Sequence, residues 1–190
     1  MSNETDKTNL SARLEDIADV MLAETASGSP LLRFVKGEYF IGETEIEAGH
    51  QFVAFPFDVM VGFARWENDT VVEQRLGRIA DKFRLEREDL PESEDWKQQR
   101  VLPLEDAETH EFVAFVSSSY GGKKAINALV STVARAVKEG RGNAVPLIRL
   151  AVGSFPSKQY GIIACPSFEL VKESMQEVKP PPDVSDEIPF

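Results

Sequence analysis

Ser117-Ser118-Ser119-Tyr120-Gly121-Gly122-Lys123-Lys124 is the stretch on which the fold turns, because it separates a strand from a helix. Before it, Glu111–Ser118 carries Phe112, Val113, Phe115 and Val116 in a short apolar run that reads as a strand. After it, Ile126, Leu129, Val130, Val133 and Ala134 recur at helical spacing, which predicts a helix from Gly121 to about Glu139. Lys123, Lys124, Arg135, Lys138 and Arg141 lie on that helix or just past it. Backbone N–H groups at a helix start can hold an anion, and glycines let a phosphate come close. Two lysines in the first turn oppose the helix dipole unless an anion offsets them. The stretch is not a nucleotide-hydrolase phosphate loop: Ser117 stands where that motif needs its first Gly, and Lys124 follows Gly122-Lys123 where Ser or Thr is required.

Downstream, Val145–Ser154 and Tyr160–Val171 read as strands. Between them Phe155-Pro156-Ser157-Lys158-Gln159-Tyr160 has an aromatic at each end and a lysine inside. Single-strand binders use that mixture, since rings stack on bases and lysine meets phosphate. From Glu111 the order is therefore strand, helix, strand, hairpin, strand. An OB-fold accepts a helix between its third and fourth strands. In that register Glu111–Ser118 is the third strand, and 155–160 is the loop between the fourth and fifth.

Upstream, Leu31–Val35 and Tyr39–Ile41 flank a turn at Lys36-Gly37-Glu38, and Gln51–Phe55 follows Gly49. Asp58–Trp66 alternates, with Val59, Val61, Phe63 and Arg65 facing one way and Met60, Gly62, Ala64 and Trp66 the other. Gly62 and Ala64 leave space beside Trp66 where a flat base could lie. A turn at Glu67-Asn68-Asp69 leads through Val71-Val72 to Arg75-Leu76-Gly77-Arg78. Residues 85–110 are acidic and interrupted by proline, and read as an insert or long loop with Trp96 in its middle. The fold expected is mainly β with flanking helices (α+β): an elaborated OB-fold barrel over 30–172. An arm and a docking helix (Ser11–Glu24, capped by Ser11) precede it in 1–29, and a flexible acidic tail follows in 173–190.

The formal net charge of −11 argues against a nucleic-acid partner until its distribution is read. Residues 112–172 hold eight Lys and Arg against two acids, whereas 85–111 hold ten acids against three bases. A phosphate backbone responds to the local patch. Candidate DNA-binding residues are accordingly Arg65, Trp66, Arg75, Arg78, Tyr120, Lys123, Lys124, Arg149, Phe155, Lys158 and Tyr160. No run approaches a membrane span, and Met1–Asp6 shows no secretory pattern; with Cys165 as the only cysteine, a cytoplasmic location is expected.

The chain ends on Asp183-Val184-Ser185-Asp186-Glu187-Ile188-Pro189-Phe190 behind Pro180-Pro181-Pro182. Prolines deny the segment helix and sheet hydrogen bonds. A terminal Phe behind acids suits an apolar pocket rimmed by Lys or Arg. This ending resembles the acidic tip of bacterial single-stranded-DNA-binding proteins. The body is similar to their divergent phage and prophage relatives rather than to the ordinary cellular type. The resemblance implies that Asp183, Asp186, Glu187, Ile188, Pro189 and Phe190 recruit replication, recombination and repair enzymes. It also implies a protein that binds single-stranded DNA without catalysis, metal or cofactor. Ordinary bacterial members are often tetramers, and the residues leave homo-oligomerisation open.

Two other functions are compatible with the residues. One is a decoy or adaptor that captures the same enzymes through the tail without coating DNA. The other is a Mg²⁺-dependent nuclease built on Asp95-Trp96-Lys97 with Asp81 or Asp89. His50 and His110 are too isolated for a zinc cluster or a Ser/His/Asp triad.

Overall fold

The computed structural model describes residues 30–68, 70–92, 95–142 and 144–171. The expected N-terminal arm and helix and the acidic tail with its docking tip lie outside these residues. In chain order the elements are β1 (Leu31–Val35), β2 (Glu38–Ile41), β3 (Thr44–Ile46), β4 (Gln51–Ala54), β5 (Met60–Glu67), β6 (Thr70–Arg78), β7 (Trp96–Asp106), β8 (Phe112–Ser117), α1 (Tyr120–Lys138), β9 (Leu147–Ser157) and β10 (Gly161–Leu170).

The described part is mainly β, with one helix laid on a curled, half-barrel sheet. The sheet runs β10-β9-β4-β7-β8-β1-β2-β3, with the β5–β6 ribbon attached to β7. All pairs are antiparallel except β1 with β8. β7 has two successive partners on one edge. β5 takes its first half (Arg65 opposite Trp96 through Met60 opposite Val101), and β4 takes its second (Ala54 opposite Leu104, Phe52 opposite Asp106). A 3₁₀ turn at Pro56–Asp58 lets the chain from β4 to β5 follow the bend. Proline suits such a turn because its φ is already near the helical value. The β1–β2 turn is tight, with Lys36 and Gly37 both left-handed at φ 52° and 99°.

Curling brings β2 to the far end of the sheet. The buried Tyr39 hydroxyl donates to the Ala151 carbonyl (2.7 Å) and accepts from the Ser167 N–H (3.1 Å). Burial pushes its pKa up, countered in part by the bond to Ser167. α1 fills the curl with Ile126, Leu129 and Val133, against Leu32, Phe52, Leu102, Leu104, Phe115, Ile148 and Leu150. Truncating any one of these buried aliphatics to Ala would cost about 2–5 kcal/mol.

Two expectations need correction. Residues 85–110 are not a loop throughout: 85–92 are irregular apart from a 3₁₀ turn at Arg87–Asp89, but Trp96–Asp106 is a strand paired with β4, β5 and β8. The acids cluster on either side of that strand, and averaging over the interval hid an alternation that places Gln98, Arg100, Leu102 and Leu104 on one face. β9 runs on to Ser157, so Phe155 and Pro156 are strand residues and only Lys158–Tyr160 form the turn. The sequence showed no signal for β3, which is too short and polar to have a period; among the described residues it pairs only with β2.

Candidate functional site

The start of α1 gathers several of the expected residues. Ser119 is the N-cap: its Oγ accepts from the Gly122 N–H at 3.1 Å, and its carbonyl accepts from the Lys123 N–H at 3.0 Å. Ser117 Oγ lies 3.0 Å from Ser119 Oγ. Two of the early helix donors are thus taken within the chain. The glycines have an internal cause as well. A Cβ on Gly122 would fall 2.0 Å from Ser117 Oγ, and one on Gly121 would fall 2.8 Å from Cys165 Cβ.

Tyr120 projects from this corner, 67% exposed, and meets Phe155 of β9 edge-to-face at 5.7 Å. Lys123, one helical turn on, donates from Nζ to Gln98 Oε1 of β7 at 3.1 Å. Gln98 shares a sheet face with Arg100, two residues along, and Arg100 stands opposite Ser117 in the β7–β8 register. The Arg100 side chain makes no ion pair or hydrogen bond among the described residues, and its Nε is buried without an acceptor. Burial lowers its pKa. Arg100 and Gln98 were missed in the sequence because they sit in the interval read as an insert. The strand period from Trp96 onward was the signal that could have found them.

The β5–β6 ribbon carries the other expected arginines, and each meets acid. Arg65 pairs with Glu67 and lies 3.6 Å from Glu73; Arg75 Nη2 is 2.9 Å from Glu73. Arg78 is 3.0 Å from Asp81 and 3.8 Å from Asp58. Burial raises the pKa of Asp58, with Arg78 opposing. By register, Arg65, Arg75, Trp96 and Gln98 share one face of the ribbon, and Trp66, Arg78 and Lys97 share the other. The Arg75 guanidinium lies 5.4 Å from the ring centre of Trp96, a ring buried with Phe63 and Leu90 and with Leu85 packed against them. Lys97 Nζ lies 5.5 Å from the Trp66 ring centre.

The expected residues therefore do not form one groove. Tyr120, Lys123 and Phe155 come together. Trp66 and Arg78 face away from them. Arg149 alternates with buried Ile148 and Leu150 and so points out of the core. Lys158 and the 71% exposed Tyr160 are at the tip of the β9–β10 hairpin, and Lys124 is exposed on α1. Lys124, Arg149 and Lys158 form no ion pair among the described residues. A groove between α1 and β10, lined by Ala125, Ala128, Leu129, Thr132, Phe168 and Leu170, contains none of the expected binding residues.

Neither histidine belongs to a larger constellation. His50 Nε2 is 2.6 Å from Asp106 Oδ2, and His110 Nδ1 is 2.8 Å from Glu105 Oε1. Burial alone would raise the Asp106 carboxyl, but the Thr109 and Glu108 N–H groups and His50 outweigh it and hold the carboxyl below its ordinary range. Asp81, Asp89 and Asp95 form no group of three potential metal ligands among the described residues. Among the described residues no helix is long and apolar enough to cross a membrane. No protein-family model matches the chain, and no curated protein or solved structure matches it.

Proposed function

We propose that this protein binds single-stranded DNA with little sequence preference and without catalysis. In this reading Asp183–Phe190 docks replication, recombination or repair enzymes. The observation that carries it is the contact between two aromatic rings, Tyr120 and Phe155, beside Lys123. A stacking platform next to a cation is what an unpaired strand needs, because every base has a π-face and every linkage a charge.

The connectivity supports an elaborated OB-type barrel. The β4–β5 segment serves as its first strand, β7 as the second, β8 as the third, then α1, β9 and β10. In that assignment β1–β3 are an addition beside β8, and β6 extends the first strand into a ribbon. The charge distribution adds support: the bases of α1, β9 and the hairpin tip are largely free of acid, and a strand can approach them.

Fluorescence titration with oligo-dT tests the proposal. Binding is expected at low salt and should weaken steeply as salt rises. Absence of binding at low salt, in tail-deleted protein as well, would overturn it. One observation favours a second reading, the decoy or adaptor: the ribbon arginines are neutralised by Glu67, Glu73, Asp58 and Asp81. Under that reading the tail captures enzymes while oligo-dT is ignored from the start.

A further inference from the structure

We propose that Arg100 and Lys123 together hold a phosphate-type anion in the angle where β7, β8 and the start of α1 meet, with Gln98 and Ser117 lining it. On the single-strand reading above, the anion is a phosphodiester of the bound strand.

The site rests on side chains, not on the helix terminus, whose Gly122 and Lys123 N–H groups are already bonded to Ser119. Arg100 is flanked across the sheet by Val61 on β5 and Ser117 on β8. Neither neighbour carries charge. A guanidinium is a five-donor fork with no acceptor of its own. Holding one against a sheet with Nε out of water and no oxygen to receive it is costly. The ribbon shows the alternative the chain uses elsewhere, since Arg65, Arg75 and Arg78 each have a carboxylate. Arg100 has none, and Lys123, which reaches the same strand at Gln98, is held there by a neutral amide oxygen. Gln98 therefore aims the ammonium without cancelling it. Two cations left uncancelled on one face, with hydroxyls of Ser117 and Ser119 beside them, match an oxyanion with several acceptor oxygens. Tyr120 and Phe155 lie one helical turn away, so a base could stack while its linkage reached this corner.

The test uses the full chain and its Arg100→Gln, Arg100→Lys and Lys123→Gln variants, each checked for folding by circular dichroism. Affinity for oligo-dT is measured across salt, and thermal unfolding is followed with and without inorganic phosphate. Arg100→Gln and Lys123→Gln are each expected to weaken oligo-dT binding about tenfold at low salt and to lower the salt slope by about one. Arg100→Lys should recover part of the loss, and phosphate should raise the melting temperature of the wild type but not of Arg100→Gln or Lys123→Gln. Folded variants that bind oligo-dT like the wild type would overturn the site while leaving single-strand binding intact. Phosphate stabilisation lost in Arg100→Gln, in a protein that ignores oligo-dT, would keep the site and reject the single-strand reading. No response to either probe would reject both. If Arg100→Gln does not fold, Lys123→Gln decides alone, because its side chain lies outside the core.

Discussion

The start of α1 and the β5–β6 ribbon both present arginine or lysine beside aromatic rings, yet they differ in what meets the charge. On the ribbon, carboxylates two or three residues along the chain or across the strands pair with Arg65, Arg75 and Arg78. At the helix start, Lys123 meets an amide and Arg100 meets no acceptor among the described residues. A cation already paired offers little to a phosphate, because the ligand must displace a carboxylate before it gains a contact. Charge counted by interval therefore differs from charge counted after pairing, and the proposed binding surface rests on the second. On the proposed function, the ribbon is a self-neutralised structural extension and the helix start is the surface open to a ligand.

The strongest challenge to this contrast is removal of the rings. Tyr120→Ala combined with Phe155→Ala should reduce oligo-dT affinity by about 1–3 kcal/mol per stacked base, measured by anisotropy on protein shown to be folded. Unchanged affinity would leave the helix start without its role. Gly62→Ala attacks the ribbon instead. Its Cβ would lie 2.0 Å from the Arg75 carbonyl oxygen, at a backbone φ of 152°. The expected cost is about 2 kcal/mol or more, or about 4–8 °C in melting temperature for a chain of this size. Binding should persist wherever the variant is folded; its collapse would make the ribbon part of the site.

A carboxylate outside both regions provides a scale for pairing. Asp106→Asn should cost about 1–2 kcal/mol at neutral pH, read by denaturant unfolding. Because the folded carboxyl is held below its ordinary range, its contribution is complete above the unfolded value of about 3.9 and is lost as pH falls through the folded value. Wild type and variant should therefore converge in acid. An effect that grows on acidification would contradict the assignment.

Replacing Arg65, Arg75 and Arg78 together by Gln should change oligo-dT affinity by less than about threefold, within the usual worth of exposed pairs. A tenfold loss would erase the contrast between the regions. The smallest effect is expected from Phe190→Ala, which should leave DNA affinity unchanged while weakening enzyme recruitment in a pull-down with a tail-binding partner. Intact recruitment would refute the docking role of the tip.

Most strands and α1 were legible because their signals are local. Alternation in 58–66, helical spacing after Gly121 and the Lys36-Gly37 turn each follow from neighbouring residues. β7 was not legible, because acidic loops on both sides outweighed its own pattern and its Pro103 suggested a break. Of the expected binding residues, Tyr120, Lys123 and Phe155 converge in space. Trp66 and Arg78 are turned away by strand alternation across a register that only pairing establishes.

By itself the chain settles its β-rich character, the position of α1 and the uneven placement of charge, since periodicity and composition are properties of adjacent residues. Only the tertiary structure decides that Trp96–Asp106 runs through the middle of the sheet, that Tyr39 ties its two ends, and which cations lack a carboxylate partner. The Tyr39 and Lys123 contacts reach partners 112 and 25 residues away, and a local pattern carries no record of which distant strand lies alongside it.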